Sequence, residues 1–189
     1  MKTGLFFGSF NPVHIGHMAI ANYMAEFTDL DEVWFIVTPH SPFKKKHTLL
    51  DNYQRLELLN RAIADDTKMR VSDIEFRLPV PSYTIDTLTY LSEKYPEHDF
   101  VLIMGADGLP MFHKWKNAEE ISQRYERYIY PRPGFLPPYP DFTNCKIVDA
   151  PQMDISASFI RNAIKEKKNV RHFLPKVVFE YLDEMNFYR

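Results

Sequence analysis

Short apolar runs alternate along the whole chain with longer segments of helical periodicity, and that alternation restricts the fold more than any other feature. It implies a parallel sheet covered by helices on both faces. The strand candidates are GLFFG, EVWFIVTP ended by Pro39, the weaker MRVSDIEF, DFVLIMG, ERYIYP and CKIVDAP. DFVLIMG is apolar on both faces, as a central parallel strand must be. Among the helix candidates, GHMAIANYMAEF places Met18, Ala21, Met24 and Ala25 on one face. DNYQRLELLNRAIAD opens on a capping Asp51 and spaces Leu56, Leu59 and Ile63 helically. TIDTLTYLSEKY carries Ile85, Leu88 and Leu91 on a stripe and stops at Pro96. NAEEISQRY, SASFIRNAIKEKK and PKVVFEYLDEM, the last beginning at Pro175, complete the set. The expectation is an α/β, Rossmann-like, doubly wound sheet of about five to six strands with a small C-terminal helical part. A chain of 189 residues suits one such domain.

Charge and cysteine content narrow the function classes. The net charge of −2 disfavours a nucleic-acid polymer or an acidic membrane as partner, so any anion site must be local. One cysteine, Cys145, excludes an intrachain disulfide and reads as a small core residue. The N-terminus is too short in apolar length for a signal peptide, and no run approaches membrane-spanning length. A soluble cytoplasmic protein is the expectation. Oligomeric state is open, a homo-oligomer included.

In an open α/β sheet, ligands bind beyond the carboxyl ends of the strands. That rule selects Gly8–His17, Thr38–Lys46, Pro79–Thr84, Gly105–Trp115 and Pro151–Arg161. The first reads GSFNPVHIGH. Gly8 and Ser9 follow the strand directly, where a small residue lets a phosphate approach backbone N–H groups and the next helix presents its positive end. His14 and His17 share a helical face and could both donate to a polyphosphate. Neither the dinucleotide fingerprint nor the ATPase P-loop is present. A zinc pair would favour a spacing of four and a third ligand. A tight turn with two half-exposed histidines is the plainer alternative.

GSFNPVHIGH resembles the signature of the nucleotidyltransferase superfamily that carries an (H/T)-x-G-H motif. Class I aminoacyl-tRNA synthetases share HIGH, but a synthetase needs a tRNA-reading module and a KMSKS loop, for which this chain has no room. ISASFIR resembles the second superfamily motif, I-S-x-[ST]-x-I-R. Ser156 and Ser158 stand at a helix N-terminus, and Arg161 follows one turn later, able to fork onto phosphates. PVPSYTIDTL and MGADGLPMFHKWKNAEEI resemble the nicotinate-nucleotide adenylyltransferase family, through S-Y-T-x-D-T-L and G-A-D-x-[LM]-x-x-[FL]-x-x-W-[KH]. The resemblance runs essentially end to end.

That resemblance implies adenylyl transfer from ATP to nicotinate mononucleotide (NaMN), giving deamido-NAD and pyrophosphate in NAD biosynthesis. The catalytic residues would be His14, His17 and Arg161. ATP would be held by Gly8, Ser9, Phe10, His14, His17, Gly105, Asp107, Ile129, Ser156, Ser158 and Arg161. NaMN would be held by Lys44, Lys45, Ser82, Tyr83, Thr84, Asp107 and Trp115. No metal ligand from the protein is expected; Mg²⁺ would arrive with ATP.

The residues support this on their own chemistry. Ser82, Tyr83 and Thr84 lead into a helix whose N–H groups suit a carboxylate. Trp115 offers a flat electron-rich face to a pyridinium, although a tryptophan is commonly a core residue. Asp107 could accept from ribose hydroxyls or cap a helix. Lys44, Lys45 and Lys46 form a dense positive cluster, of which Lys44 and Lys45 are taken to face the substrate. The family usually has P-P-H-[KR] there, and mostly Asp where this chain has Asn11. Arg132–Pro133–Gly134 fits the family's R-P-G, which places adenine near Ile129–Tyr130. Rival readings are an adenylyltransferase specific for nicotinamide mononucleotide (NMN) or phosphopantetheine, and a non-catalytic nucleotide sensor on the same fold.

Overall fold

A computed structural model describes residues 1–39, 49–135 and 143–189. Six parallel strands form one sheet: β1 Lys2–Gly8, β2 Glu32–Val37, β3 Met69–Ser72, β4 Asp99–Gly105, β5 Glu126–Tyr130 and β6 Cys145–Ile147. Their order across the sheet is β3-β2-β1-β4-β5-β6. The central strands are buried on both faces, as their unbroken apolar sequences require. In β2 every residue is buried.

Side-chain alternation divides the core into two layers. Phe6, Val33, Phe35, Val37, Val101 and Ile103 face one layer, where they meet α1 Ile15–Phe27, α2 Asn52–Ala62, α6 Ala157–Lys165 and α7 Lys176–Glu184. Leu5, Trp34, Ile36, Leu102 and Met104 face the other, against α3 Thr84–Lys94, α4 Leu109–Phe112 and α5 Ala118–Arg124. The doubly wound sheet expected from the sequence is therefore present, with helices on both faces. Among the described residues, no helix is long and apolar enough to cross a membrane.

Local signals account for the element ends. Asp51 caps α2 by accepting the Tyr53 N–H at 2.9 Å, and Gln54 Oε1 in return accepts the Asp51 N–H at 3.2 Å. Ser156 caps α6 through a 3.1 Å bond from the Phe159 N–H. Two boundaries differ from expectation. Pro175 precedes α7 with extended backbone instead of opening it. Only Met69–Ser72 of MRVSDIEF is strand; Ile74–Arg77 turns into a 3-10 helix that buries Glu75. Cys145 is half-buried at the start of β6, packed against the second layer.

The strand order fixes where a ligand can enter. β1 pairs with β2 on one side and β4 on the other. The chain leaves β1 for a helix on the first layer and leaves β4 for a helix on the second. The loops beyond their carboxyl ends therefore diverge and leave a crevice.

Candidate active site

A cleft of about 710 Å³ opens at that switch point. Its lining comes from segments far apart in sequence: the end of β1 and the start of α1, Leu49, the ends of β4 and β5, and the approach to α6 with its first turns. Gly8, Ser9, Phe10, His14, His17, Asp107, Ser156, Ser158 and Arg161 all line it, as the sequence leads one to expect. The two superfamily motifs meet directly. Arg161 Nη1 donates to the Asn11 carbonyl at 2.7 Å, and Arg161 Nη2 to Ser158 Oγ at 3.1 Å.

The histidine pair has a defined geometry. The rings of His14 and His17 stack, with centroids 3.7 Å apart and planes 28° from parallel. The His14 backbone N–H donates to His17 Nδ1 at 3.2 Å. That bond occupies the Nδ1 lone pair, so the proton of His17 sits on Nε2 and makes it a donor. Phe10 packs edge-on to His17, with centroids 5.1 Å apart. Its backbone is left-handed at φ +43°. Gly8 permits this placement, because a Cβ there would lie 2.8 Å from the Phe10 ring. Gly16 serves His14 in the same way: a Cβ would press to 3.1 Å from His14 Cε1 and Nδ1.

Burial, and then the positive charge of Arg132, lower the His14 pKa from 6.5 to about 4. His14 is thus a neutral hydrogen-bonding group at pH 7, not a cation. The unfolded chain takes up this proton near pH 6.5, the folded chain near pH 4. The stability it contributes is complete above about pH 6.5 and is lost as the pH falls through 4. Denaturation at pH 7 and pH 5 should show His14→Gln losing less stability on acidification than wild type. Equal losses would contradict the burial argument.

Around this pair the cleft is braced by Arg132, Asn11 and Arg55, none of which was among the expected binding residues. Arg132 lines the cleft 3.6 Å from Asp107. Asn11 is buried; its Oδ1 accepts the Leu50 N–H at 3.1 Å and the Tyr188 hydroxyl at 2.5 Å. The amide oxygen thereby serves both donors with its two lone pairs. Arg55 is fully buried. Its Nη1 donates to the carbonyls of Ser9 at 2.7 Å and Thr38 at 2.8 Å, its Nε to Leu50 O at 3.1 Å, and its Nη2 to Asn52 Oδ1 at 2.6 Å. Burial lowers its pKa to about 10, which leaves it charged at neutral pH.

Two expected nucleotide contacts stand apart from the cleft. Ile129 is buried in the second core layer, whereas Tyr130 lines the cleft. Neighbouring strand residues face opposite sides, so of the pair Ile129–Tyr130 only Tyr130 turns its side chain to the cleft. Burial pushes the Tyr130 phenol up to about 12, so it stays neutral. Gly105 is buried at the end of β4 and does not line the cleft. It makes room: a Cβ would collide with Asp107 Oδ1 and crowd the Tyr130 ring.

The second expected group, Ser82, Tyr83, Thr84 and Trp115, does not line this cleft. Trp115 is half-buried against Phe112, with centroids 5.4 Å apart. Lys116 reaches 4.8 Å from the centre of the Tyr83 ring and 2.9 Å from both Asp86 oxygens, which joins the Trp115 segment to the start of α3. Tyr83 precedes α3 and Thr84 opens it. The Ser82 side chain is buried and donates to Glu75 at 3.2 Å. Lys44 and Lys45 lie outside the described residues, as does most of the proline-rich stretch after Arg132.

Known proteins resemble this chain over its whole length. A family model described as cytidylyltransferase-like matches residues 5–163. A probable nicotinate-nucleotide adenylyltransferase of Flavobacterium johnsoniae is 53% identical over 192 aligned residues, covering 100% of both chains. This chain belongs to the nicotinate-nucleotide adenylyltransferase family. The fold also matches the Plasmodium falciparum nicotinic acid mononucleotide adenylyltransferase complexed with NaAD, with a TM-score of 0.83 at 17% identity, covering 99% of this chain and 97% of that one. The same parasite protein complexed with APC gives a TM-score of 0.81 at 17% identity over 99% of this chain and 96% of that one.

Proposed function

We propose that this protein transfers the adenylyl group of ATP to NaMN, releasing pyrophosphate and forming deamido-NAD. The observation that carries the reading is the meeting of the two motifs, with Arg161 bonded to the Asn11 carbonyl across 150 residues of sequence. The family membership supports the same reaction.

The 5′-phosphate of NaMN attacks the α-phosphorus of ATP in line, and the bond to the bridging oxygen of pyrophosphate breaks. The attacking phosphate is already ionised at neutral pH, so no strong base is required. Catalysis rests on positioning and on neutralising charge in the transition state. His14 and His17 donate hydrogen bonds to the α- and β-phosphates. Arg161, with Ser156 and Ser158 at the α6 N-terminus, holds the departing pyrophosphate. Lys44 and Lys45 are proposed to hold the NaMN phosphate as point charges. Tyr130 flanks the adenine, and Asp107 takes the ribose hydroxyls.

Mg²⁺ would arrive with the triphosphate as part of the substrate. Mg²⁺ keeps waters and substrate phosphates with few carboxylates. Asp107, already close to Arg132, is the one acid lining the cleft among the described residues. The donor set therefore suits an ion carried by the nucleotide, which would supply positive charge to the phosphates. On the other side, the α3 N-terminus takes the nicotinate carboxylate and Trp115 the pyridinium.

Turnover of NaMN, NMN and phosphopantetheine with Mg·ATP, followed by pyrophosphate release, tests this reading. NaMN should be the preferred substrate, and Trp115→Ala should weaken its KM while sparing that of ATP. Preference for phosphopantetheine, or equal loss of both nucleotides in Trp115→Ala, would contradict it.

A further inference from the structure

Behind the Ser82–Thr84 turn lies a buried carboxylate that the reaction above leaves unused. Glu75 is 2% exposed and sits in the 3-10 turn after β3. Its Oε1 accepts the Thr87 hydroxyl at 2.8 Å and its Oε2 the Ser82 hydroxyl at 3.2 Å. The Thr38 hydroxyl at the end of β2 bonds to it as well. One carboxylate thus ties together the exit of β2, the turn before α3 and the first turn of α3. Burying such a group is costly unless it is hydrogen-bonded, as both Glu75 oxygens are.

The consequence is local and chemical. Serine near a helix start ordinarily turns its oxygen onto the first backbone N–H groups. Here the residue at the cap position is Tyr83, whose side chain makes no capping bond. Ser82 is held the other way by Glu75. The N–H groups of Asp86 and Thr87 bond back to the Tyr83 carbonyl at 3.0 and 3.3 Å. Those of Thr84 and Ile85 come before these first helical bonds, at the positive end of the helix dipole.

We infer that Glu75 is a positioning residue for the pyridine-carboxylate subsite: it keeps Ser82 and Thr87 in place so that the α3 N-terminus stays uncapped for an anionic substrate. The inference rests on the reading of that helix end as the NaMN carboxylate site. Glu75 touches no substrate. It acts by denying the helix an internal cap that would compete with the ligand.

The test is steady-state kinetics of Glu75→Ala, Glu75→Gln and the double variant Glu75→Ala/Ser82→Ala with NaMN, NMN and ATP. In Glu75→Ala, KM for NaMN should rise about tenfold, the scale of one lost hydrogen-bonded interaction, with the ATP KM within about twofold. NaMN should also lose part of its advantage over NMN. Glu75→Gln retains an accepting oxygen and should shift KM by only about threefold, which reads the effect should the alanine variant not fold. Removing the Ser82 hydroxyl in the alanine background should recover NaMN affinity. Unchanged NaMN KM and preference in both single variants would overturn the inference. So would an equal rise of the NaMN and ATP KM values with a lowered Tm, the mark of a structural role alone. A wild-type protein without preference for NaMN over NMN would instead refute the underlying reading of the subsite.

Discussion

His17→Ala is expected to lower kcat by roughly a hundredfold or more while the protein stays folded. The reason is geometric. His17 lines the cleft and its Nδ1 is occupied by the His14 N–H, which leaves Nε2 as a preorganised donor. Losing one such donor removes stabilisation that grows as charge develops on the phosphates. The fold should survive, because His17 is only half-buried and its neighbours Phe6 and Phe10 also pack on each other at 5.7 Å. Single-turnover kinetics beside a circular-dichroism melt measures both. A folded variant with near-normal turnover would take His17 out of the chemistry.

Arg55→Ala should have the largest effect on stability, about 3–5 kcal/mol in urea denaturation at pH 7. The truncation leaves a cavity and strips the carbonyls of Ser9, Thr38 and Leu50 of a charged donor in a buried setting. Ser9 and Thr38 are the exits of β1 and β2, so the phosphate turn should loosen and activity fall with stability. Arg55→Lys keeps the charge but not the planar fork, and should recover only part of the loss. A loss below about 1 kcal/mol in Arg55→Ala would show that other contacts hold the turn.

The architecture was legible wherever periodicity was long and consistent. DFVLIMG could be little else than a central strand, and the spacing of Leu88 and Leu91 could only be a helix against it. The turn at Ile74–Arg77 was less legible, because Ile74 and Phe76 alternate as strand residues do while the buried position between them is a glutamate. In the site, the rule that ligands gather at strand exits found both motifs. It did not distinguish Ile129 from Tyr130, since one position along a strand changes the face. Arg132 follows β5 in the same kind of place, yet only its nearness to His14 and Asp107 gives it a role. Tyr188 reaching Asn11 across 177 residues has no local signal at all. Ser82 was visible as a residue at a helix start, but the acceptor that turns it inward lies seven positions away in a segment that reads as strand.

The central claim is that this cleft transfers an adenylyl group by holding phosphates, with its histidines acting as donors and never as nucleophiles. The stereochemical course at the α-phosphorus tests this most directly. ATP carrying a single chiral sulfur on that phosphorus, turned over with NaMN, should yield a dinucleotide of inverted configuration, the result of one in-line displacement. Retention would require two displacements through an adenylylated side chain, and would contradict the account.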